Sequence, residues 1–380
     1  MGAALDLRLA ARRLLASRGA PKPTAECAAE RAELKRWFAE AHGVASAADA
    51  RLVDLESSAL PWTDTGLDLR EGEWVSTFAA GRVVLSDPLD LWVGPQFQLW
   101  MRVGEGGQVF NGQRDSHSFR AEASGRLYLA GYFPGQWGDR AGRVSTSLAE
   151  YAQFKGGLSV AVFRWKGDAA SSLTGAGPGR FADEAARLAS VVPVPAGWDY
   201  LWFLGRNDIF RDAHEDGRAC IACHTNRNVA ILQHEAAFDL KPGTRIAWDW
   251  KVDELPSPWR EDTALTHDYL SVAIEFENGR DITYTWSPEL AAGTGYWCPL
   301  PTWKDREFHV VVRSGPQGLG QWLSESRDLH ADYRQYMGEP PARVVRVWLI
   351  AVSLFQRQTG RALFANIRLE GKDGGALPVG

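Results

Sequence analysis

The chain has 380 residues, enough for two domains with a core each, and its 45% apolar and 23% charged content is that of an ordinary globular protein. A net charge of -5 gives no electrostatic reason for a nucleic-acid or acidic-membrane partner, and neither is expected. No run approaches the roughly 20 apolar residues of a membrane helix, the N-terminal stretch lacks the unbroken apolar segment of a secretory signal, and four cysteines do not make a disulfide framework, so the sequence reads as cytoplasmic.

Residues 4–18 and 24–42 show helical spacing on either side of "GAPKP", with Thr24 as the expected cap of the second helix. A third helical piece is expected over "ASAADARLVDLE", giving a helical N-terminal segment over 1–58. From Trp62 the texture changes to short alternating runs such as "WVSTFAAGRVVL", "GRLYLAGYF" and "LSVAVFRW", separated by turn residues. Such runs predict an antiparallel β-sandwich or jelly roll over 59–166. Residues 167–197 read as a linker with a helical turn or two. A second β-rich sandwich fills 198–380, marked by "TRIAWDWKV", "EFHVVVRSG" and "RVVRVWLIAVSLF". Its clearest element is the hairpin around Asn278-Gly279, expected to turn through a type I′ loop. The predicted fold is therefore mainly β, two antiparallel sandwiches with a helical cap. Most of the seventeen tryptophans are assigned to core packing, although indoles also stack on sugars.

Three segments, "WTDTGLDLREGEWVSTFAAGRVV", "LWMRVGEGGQVFNG" and "GRLYLAGYFPGQWGDRAG", resemble the calcium-dependent galactose-binding lectins of bacteria over residues 60–165. The resemblance implies a galactose-binding-like jelly roll. In those lectins the last loop supplies oxygen ligands to calcium, but here the matching positions are Gly131-Tyr132, Gln136 and Asp139-Arg140. A tyrosine and an arginine do not suit an ion that needs six to eight oxygens, so no calcium is expected. The second sandwich is similar to a bacterial domain family of unknown function through "LKPGTRIAWDWKVDELPS", "HDYLSVAIEFENGRDITYTWS", "VVVRSGPQGLGQW", "ESRDLHADY" and "RVVRVWLIAVS", covering roughly 215–370. That resemblance implies a jelly roll like those of carbohydrate-binding modules and supplies no biochemical role.

Cys220, Cys223 and His224 have the C-x-x-C-H spacing of c-type haem attachment. On a strand, two residues three apart point to opposite faces, which does not suit two thioether links to one porphyrin. Zinc held by His214, Cys220, Cys223 and His224 meets the same objection. Two semi-buried thiols in a strand are expected instead, with no cofactor and no metal.

On the hairpin, Leu270, Val272, Ile274 and Phe276 form a core face, and Tyr269, Ser271, Ala273, Glu275 and Glu277 the opposite one. The returning strand sets Asp281, Thr283 and Thr285 against Ile282, Tyr284 and Trp286. In "REFHVVVR", Glu307, His309, Val311 and Arg313 share a face by period two. Candidate acid–base residues are Glu275, His309, His267 and Asp268; candidate ligand-binding residues are Arg313, Glu307, Tyr284, Trp286 and Tyr269. The expected function is binding of a carbohydrate or other hydroxylated small molecule. The alternative is a cofactor-independent cyclase, isomerase or lyase working in a pocket between the sandwiches, and a c-type haem protein comes third. A homo-oligomer is left open.

Overall fold

The computed structural model of the protein describes residues 2–59 and 62–380. It divides into two compact units, one of Leu7–Val191 and the other centred on Val192–Gly380. Both are mainly β, as the alternation of the sequence predicts.

The first unit is a sandwich of a five-stranded and a four-stranded sheet. Period-two alternation decides what each face buries. In the strand Lys155–Trp165, Leu158, Val160 and Val162 point into the layer between the sheets, where Leu67, Leu99 and Leu129 meet them. Ala161, Phe163 and Trp165 point outward and are covered by helices through Leu34, Leu173 and Phe181. At the start of that strand Gly156 has φ +78°, and a Cβ there would come within 2.3 Å of the Arg82 carbonyl. Only glycine fits so close an approach.

Three expectations are corrected here. "ASAADARLVDLE" holds the strand Ala47–Glu56, not a helix: Val53 and Leu55 bury at period two, and the strand pairs antiparallel with Lys155–Trp165. Thr24 does not cap its helix. The helix Pro23–Ala41 starts at Pro23, which pre-sets the first turn, and Thr24 instead gives its N–H and hydroxyl to Asp87, each at 3.0 Å. The stretch read as a linker contains two helices, Ala169–Ala176 and Arg180–Ala189, docked on the first sandwich.

The second unit packs a seven-stranded sheet on a six-stranded one. Trp248, Trp250, Tyr284, Trp286 and Phe364 fill the core between them, with Leu329 and Tyr333 of the helix Leu329–Met337. The hairpin of Tyr269–Phe276 and Asp281–Ser287 is present, but its turn is not type I′. Gly279 alone takes positive φ (+75°), Phe276 N–H bonds the Arg280 carbonyl, and Asn278 Oδ1 accepts from Arg280 N–H. This is a three-residue loop closed by a left-handed glycine.

One strand pair departs from the antiparallel expectation. Asp281–Ser287 and Glu307–Ser314 run parallel, in register from Asp281↔Glu307 to Thr285↔Val311. A parallel pair needs a crossover of a dozen or more residues. Here residues 288–306 make it, and they return through the short strand Gly295–Trp297, which pairs antiparallel with Glu307–Ser314 on its far side.

Candidate functional site

The seven-stranded sheet has one apolar face and one polar face, and both are buried along the strands Tyr269–Phe276 and Asp281–Ser287. Strand register sets the polar residues in cross-strand rows. One row reads Glu235, Arg346, Glu275, Asp281, Glu307. The next reads Gln233, Trp348, Ala273, Thr283, His309, Tyr296, and beside it Ser271 lies opposite Thr285.

Where these rows cross the strand Glu307–Ser314, loops deliver further groups. His267 precedes the strand Tyr269–Phe276, and its Nδ1–H donates to the Glu261 carbonyl at 2.6 Å. That fixes the tautomer with the Nε2 lone pair free, and the Cys298 thiol donates to it across 3.3 Å. Cys298 comes from the crossover. His309 Nε2 lies 3.4 Å from Glu307 Oε1, the ring stacks on Tyr296 (centroids 4.8 Å apart, 4° between planes), and neither ring nitrogen makes a well-formed hydrogen bond. Tyr269 donates to Glu307 Oε1 at 2.8 Å, and Thr283 Oγ1 lies 3.3 Å from the same oxygen. His267, Cys298, Glu307 and His309 each present one donor atom, and these four atoms lie within 4.8 Å of one another. All four residues are buried.

Burial controls the protonation of this cluster. It holds His267 down at about 4, helped by the His309 ring, so the imidazole is neutral. It pushes the Cys298 thiol and the Tyr269 phenol well up. It raises Glu261 to about 7, against the pull of the Ser287 hydroxyl that donates to Oε2 at 2.7 Å. Asp281 and Glu307 lie side by side in register. Burial and repulsion from Glu307 push Asp281 well up, whereas Glu307 is held low, against the pull of burial, by the neighbouring His309.

Of the sequence-predicted residues, the structure brings together His267, His309, Glu307 and Tyr269. All belong to the second unit, so the cluster needs no pocket between sandwiches. The other five have their polar groups engaged by partners outside the cluster. Asp268 accepts from the backbone N–H groups of Phe355 and Gln356 at 2.9 and 2.5 Å. Glu275 accepts from Arg346 at 2.8 Å and lies 3.8 Å from Arg306. Tyr284 and Trp286 face the apolar core, where Tyr284 donates to Asp332 and Trp286 to the Gly315 carbonyl, both at 2.8 Å. Arg313 leaves the row because the register slips between Thr285 and Trp286. The extra residue turns Arg313 to the face of Trp286, where it pairs with Glu325.

Glu275→Gln is therefore expected to lower stability by about 1–2 kcal/mol, the scale of a charge-assisted bond whose Arg346 partner is partly exposed. Urea titration should show a lower midpoint at unchanged slope. An unchanged midpoint would contradict the ion-pair role.

Sequence reasoning missed Cys298 and Glu261. Neither has a spacing motif with the others; the i, i+2 pair Glu307 and His309 is the one local signal. Cys220 and Cys223 lie on the strand Arg218–Asn226, as expected. Cys223 is in the core, Cys220 faces the other way, and His224 is exposed at the surface, so the three do not converge. In the first unit, Asp139 accepts from Ala141 and Arg143 N–H groups and pairs with the Arg143 side chain, so local donors occupy its carboxylate.

Residues 196–368 match the family DUF3047, described as a protein of unknown function. The buried polar cluster lies wholly within this DUF3047 region. No curated protein matches the chain. Among solved structures, the chain is similar to a PllA-like lectin, the N-terminal domain of EclA, at 19% identity, over 30% of this chain and 95% of that one, with a TM-score of 0.24. It is similar to the xyloglucanase domain of NopAA, a type three effector from Sinorhizobium fredii in complex with cellobiose, at 9% identity, over 47% and 100%, with a TM-score of 0.28. A third likeness is to the N-terminal CBM22-1-CBM22-2 tandem domain of Paenibacillus barcinonensis Xyn10C, at 9% identity, over 87% and 85%, with a TM-score of 0.24. At these scores and identities they assign no ligand and no activity to the chain. No helix among the described residues is long and apolar enough to cross a membrane.

Proposed function

We propose that the second sandwich binds a small hydroxylated molecule, a sugar or polyol, on the polar face of its seven-stranded sheet. The observation that carries this is a set of buried polar atoms without hydrogen-bond partners on or against that face: Ser271 Oγ, Thr285 Oγ1, Asp281 Oδ1, Glu261 Oε1 and Tyr296 OH. Leaving one such group unpaired costs about 1–3 kcal/mol, so native proteins complete them with protein, water or ligand. Ser271 and Thr285 are cross-strand partners and offer two hydroxyls side by side. Carboxyl, hydroxyl and phenol groups together donate to and accept from a ligand rich in hydroxyls. Entry requires the covering segments 256–268 and 288–306 to open.

The test pairs ligand detection with one isosteric variant. Protein purified from its own host is denatured and the released small molecules are identified by mass spectrometry; a panel of sugars and polyols is then screened by thermal shift. A hydroxylated passenger, or a rise in Tm with one member of the panel, is expected. Thr285→Val should remove that rise while leaving the ligand-free protein as stable or about 1 kcal/mol more stable, because it deletes an unpaired buried hydroxyl at constant shape. No passenger and no shift, or a shift untouched by Thr285→Val, would sink the proposal. Conversion of the compound during the assay would instead favour the acid–base enzyme built on His309, Glu307 and His267.

A further inference from the structure

We infer that His267 Nε2, Cys298 Sγ, Glu307 and His309 form a four-ligand site for one zinc ion, which ties two loops to the polar sheet face. This goes beyond small-molecule binding and stands without it, because the probe is the metal alone.

The first argument is geometric. Zinc bonds of about 2.0–2.3 Å in a tetrahedron place neighbouring ligand atoms roughly 3.3–3.8 Å apart. Cys298 Sγ to His267 Nε2 is 3.3 Å and His309 Nε2 to Glu307 Oε1 is 3.4 Å, two opposite edges at that length. All the donor atoms lie within 4.8 Å of one another, so contraction by about an ångström along the longest edge closes the figure.

The second argument is that His309, wholly buried, makes no well-formed hydrogen bond at either ring nitrogen, Nε2 having only the long 3.4 Å contact to Glu307. A neutral imidazole always has a donor and an acceptor to satisfy, and burying it unpaired is costly. A metal on Nε2 supplies the missing partner, and the Nε2 atom already faces Glu307.

Charge is the third. Two neutral imidazoles, one thiolate and one carboxylate cancel the two positive charges of the ion. A buried site with net charge would be heavily penalised, and this donor set leaves none. The thiolate excludes calcium and magnesium, which take oxygen ligands, and mixed nitrogen, sulfur and oxygen donors in a tetrahedron suit zinc. Binding releases the Cys298 proton to solvent.

The surroundings are built as well. His267 donates its other ring N–H to the Glu261 carbonyl at 2.6 Å, which orients a metal-binding imidazole, and Glu307 is held by Tyr269. His267 lies in the segment 256–268, Cys298 in the crossover 288–306, and Glu307 and His309 on the strand between core and cluster. One ion therefore fastens both segments to the sheet. With four protein ligands the coordination is complete, as in structural zinc sites.

The experiment uses the full chain. Protein stripped with chelator is titrated with zinc and with cobalt(II), and metal content is measured after desalting. One equivalent of tightly held zinc is expected, with a higher Tm than the stripped protein, and the cobalt form should show tetrahedral d–d bands with a thiolate-to-cobalt charge-transfer band. Cys298→Ser should abolish the charge-transfer band, and His309→Gln should weaken zinc at least about a hundredfold, more than the ~10–100-fold typical of outer-shell changes. Glu275→Gln, outside the cluster, should bind zinc as the wild type does. Circular dichroism of each stripped variant shows whether it is folded, and a pair of weaker changes, Cys298→Ala and His267→Gln, replaces any that is not. The inference is overturned if folded wild-type protein binds no stoichiometric zinc, or if zinc and the charge-transfer band survive in the Cys298 and His309 variants. Loss of zinc binding with a sugar-induced Tm rise intact would overturn the metal site alone and leave the small-molecule reading standing.

Discussion

Arg187→Met should destabilise the first unit by about 3–5 kcal/mol, the range for removing one partner of a buried ion pair. Glu184 is fully buried, and Arg187 grips both its oxygens at 2.7 and 2.6 Å. Ser116 donates to the same carboxylate at 2.6 Å, which pins the helix Arg180–Ala189 to the sheet through the strand Ser116–Arg120. Burial alone would raise the Glu184 carboxyl, but the Arg187 and Ser116 bonds outweigh it and hold it below its ordinary 4.5. The linkage then has a definite sign. A carboxyl depressed in the folded state contributes stability that is present above pH 4.5 and is lost as pH falls through the lower folded value. Urea titrations from pH 7 down to pH 3 should show this loss in the wild type and a flatter profile in Arg187→Met. The double variant Glu184→Leu, Arg187→Met should recover much of the loss, since it removes the stranded charge. If Arg187→Met unfolds at the wild-type midpoint, the helix is not anchored by this pair and residues 167–197 behave as a linker after all.

That result bears on what the sequence could show. Faces of strands were legible because alternation is a local rule: Ile274 in and Glu275 out, Tyr284 in and Thr283 out, all hold. The core tryptophans followed from the same rule. What failed was either short or long in range. "ADARLVDLE" contains both i, i+2 and i, i+3 apolar pairs, and only pairing with Lys155–Trp165 decides between them. Arg313 is an even number of residues from His309, yet one slipped residue in the register moves it to the other face, and no local pattern marks that slip. The candidate site was half legible for the same reason. Glu307 and His309 are two apart on one strand, and His267 and Tyr269 flank a strand start. Cys298 arrives on a crossover that exists because one strand pair is parallel, a topological fact with no signature in the residues themselves. The Cys220, Cys223 and His224 motif drew attention by its spacing, and the fold spreads it over both faces of a strand.

Asp268→Ala is expected to cost about 3 kcal/mol, from two charge-assisted bonds of roughly 1.5–3 kcal/mol each, less what water can restore. Asp268 is 1% exposed, adjoins His267 in sequence, and looks from sequence alone like part of an acid–base pair. Its carboxylate does something else: one oxygen accepts from Phe355 N–H at 2.9 Å and the other from Gln356 N–H at 2.5 Å. Gln356 in turn donates its side-chain amide to the Leu265 carbonyl at 2.6 Å, so the loop after the strand Arg343–Val352 is locked to the segment that carries His267. Asp268→Asn keeps the shape but sets an amide N–H₂ against a backbone N–H that needs an acceptor, so it should lose at least half as much stability as the alanine variant. A catalytic aspartate predicts the opposite pattern: wild-type stability with activity or ligand response abolished. The structural clamp predicts a lower urea midpoint in both variants, with the folded fraction still binding metal and ligand, less tightly as the His267 segment loosens. Wild-type stability in Asp268→Ala would remove the clamp and return Asp268 to the list of candidate acid–base groups.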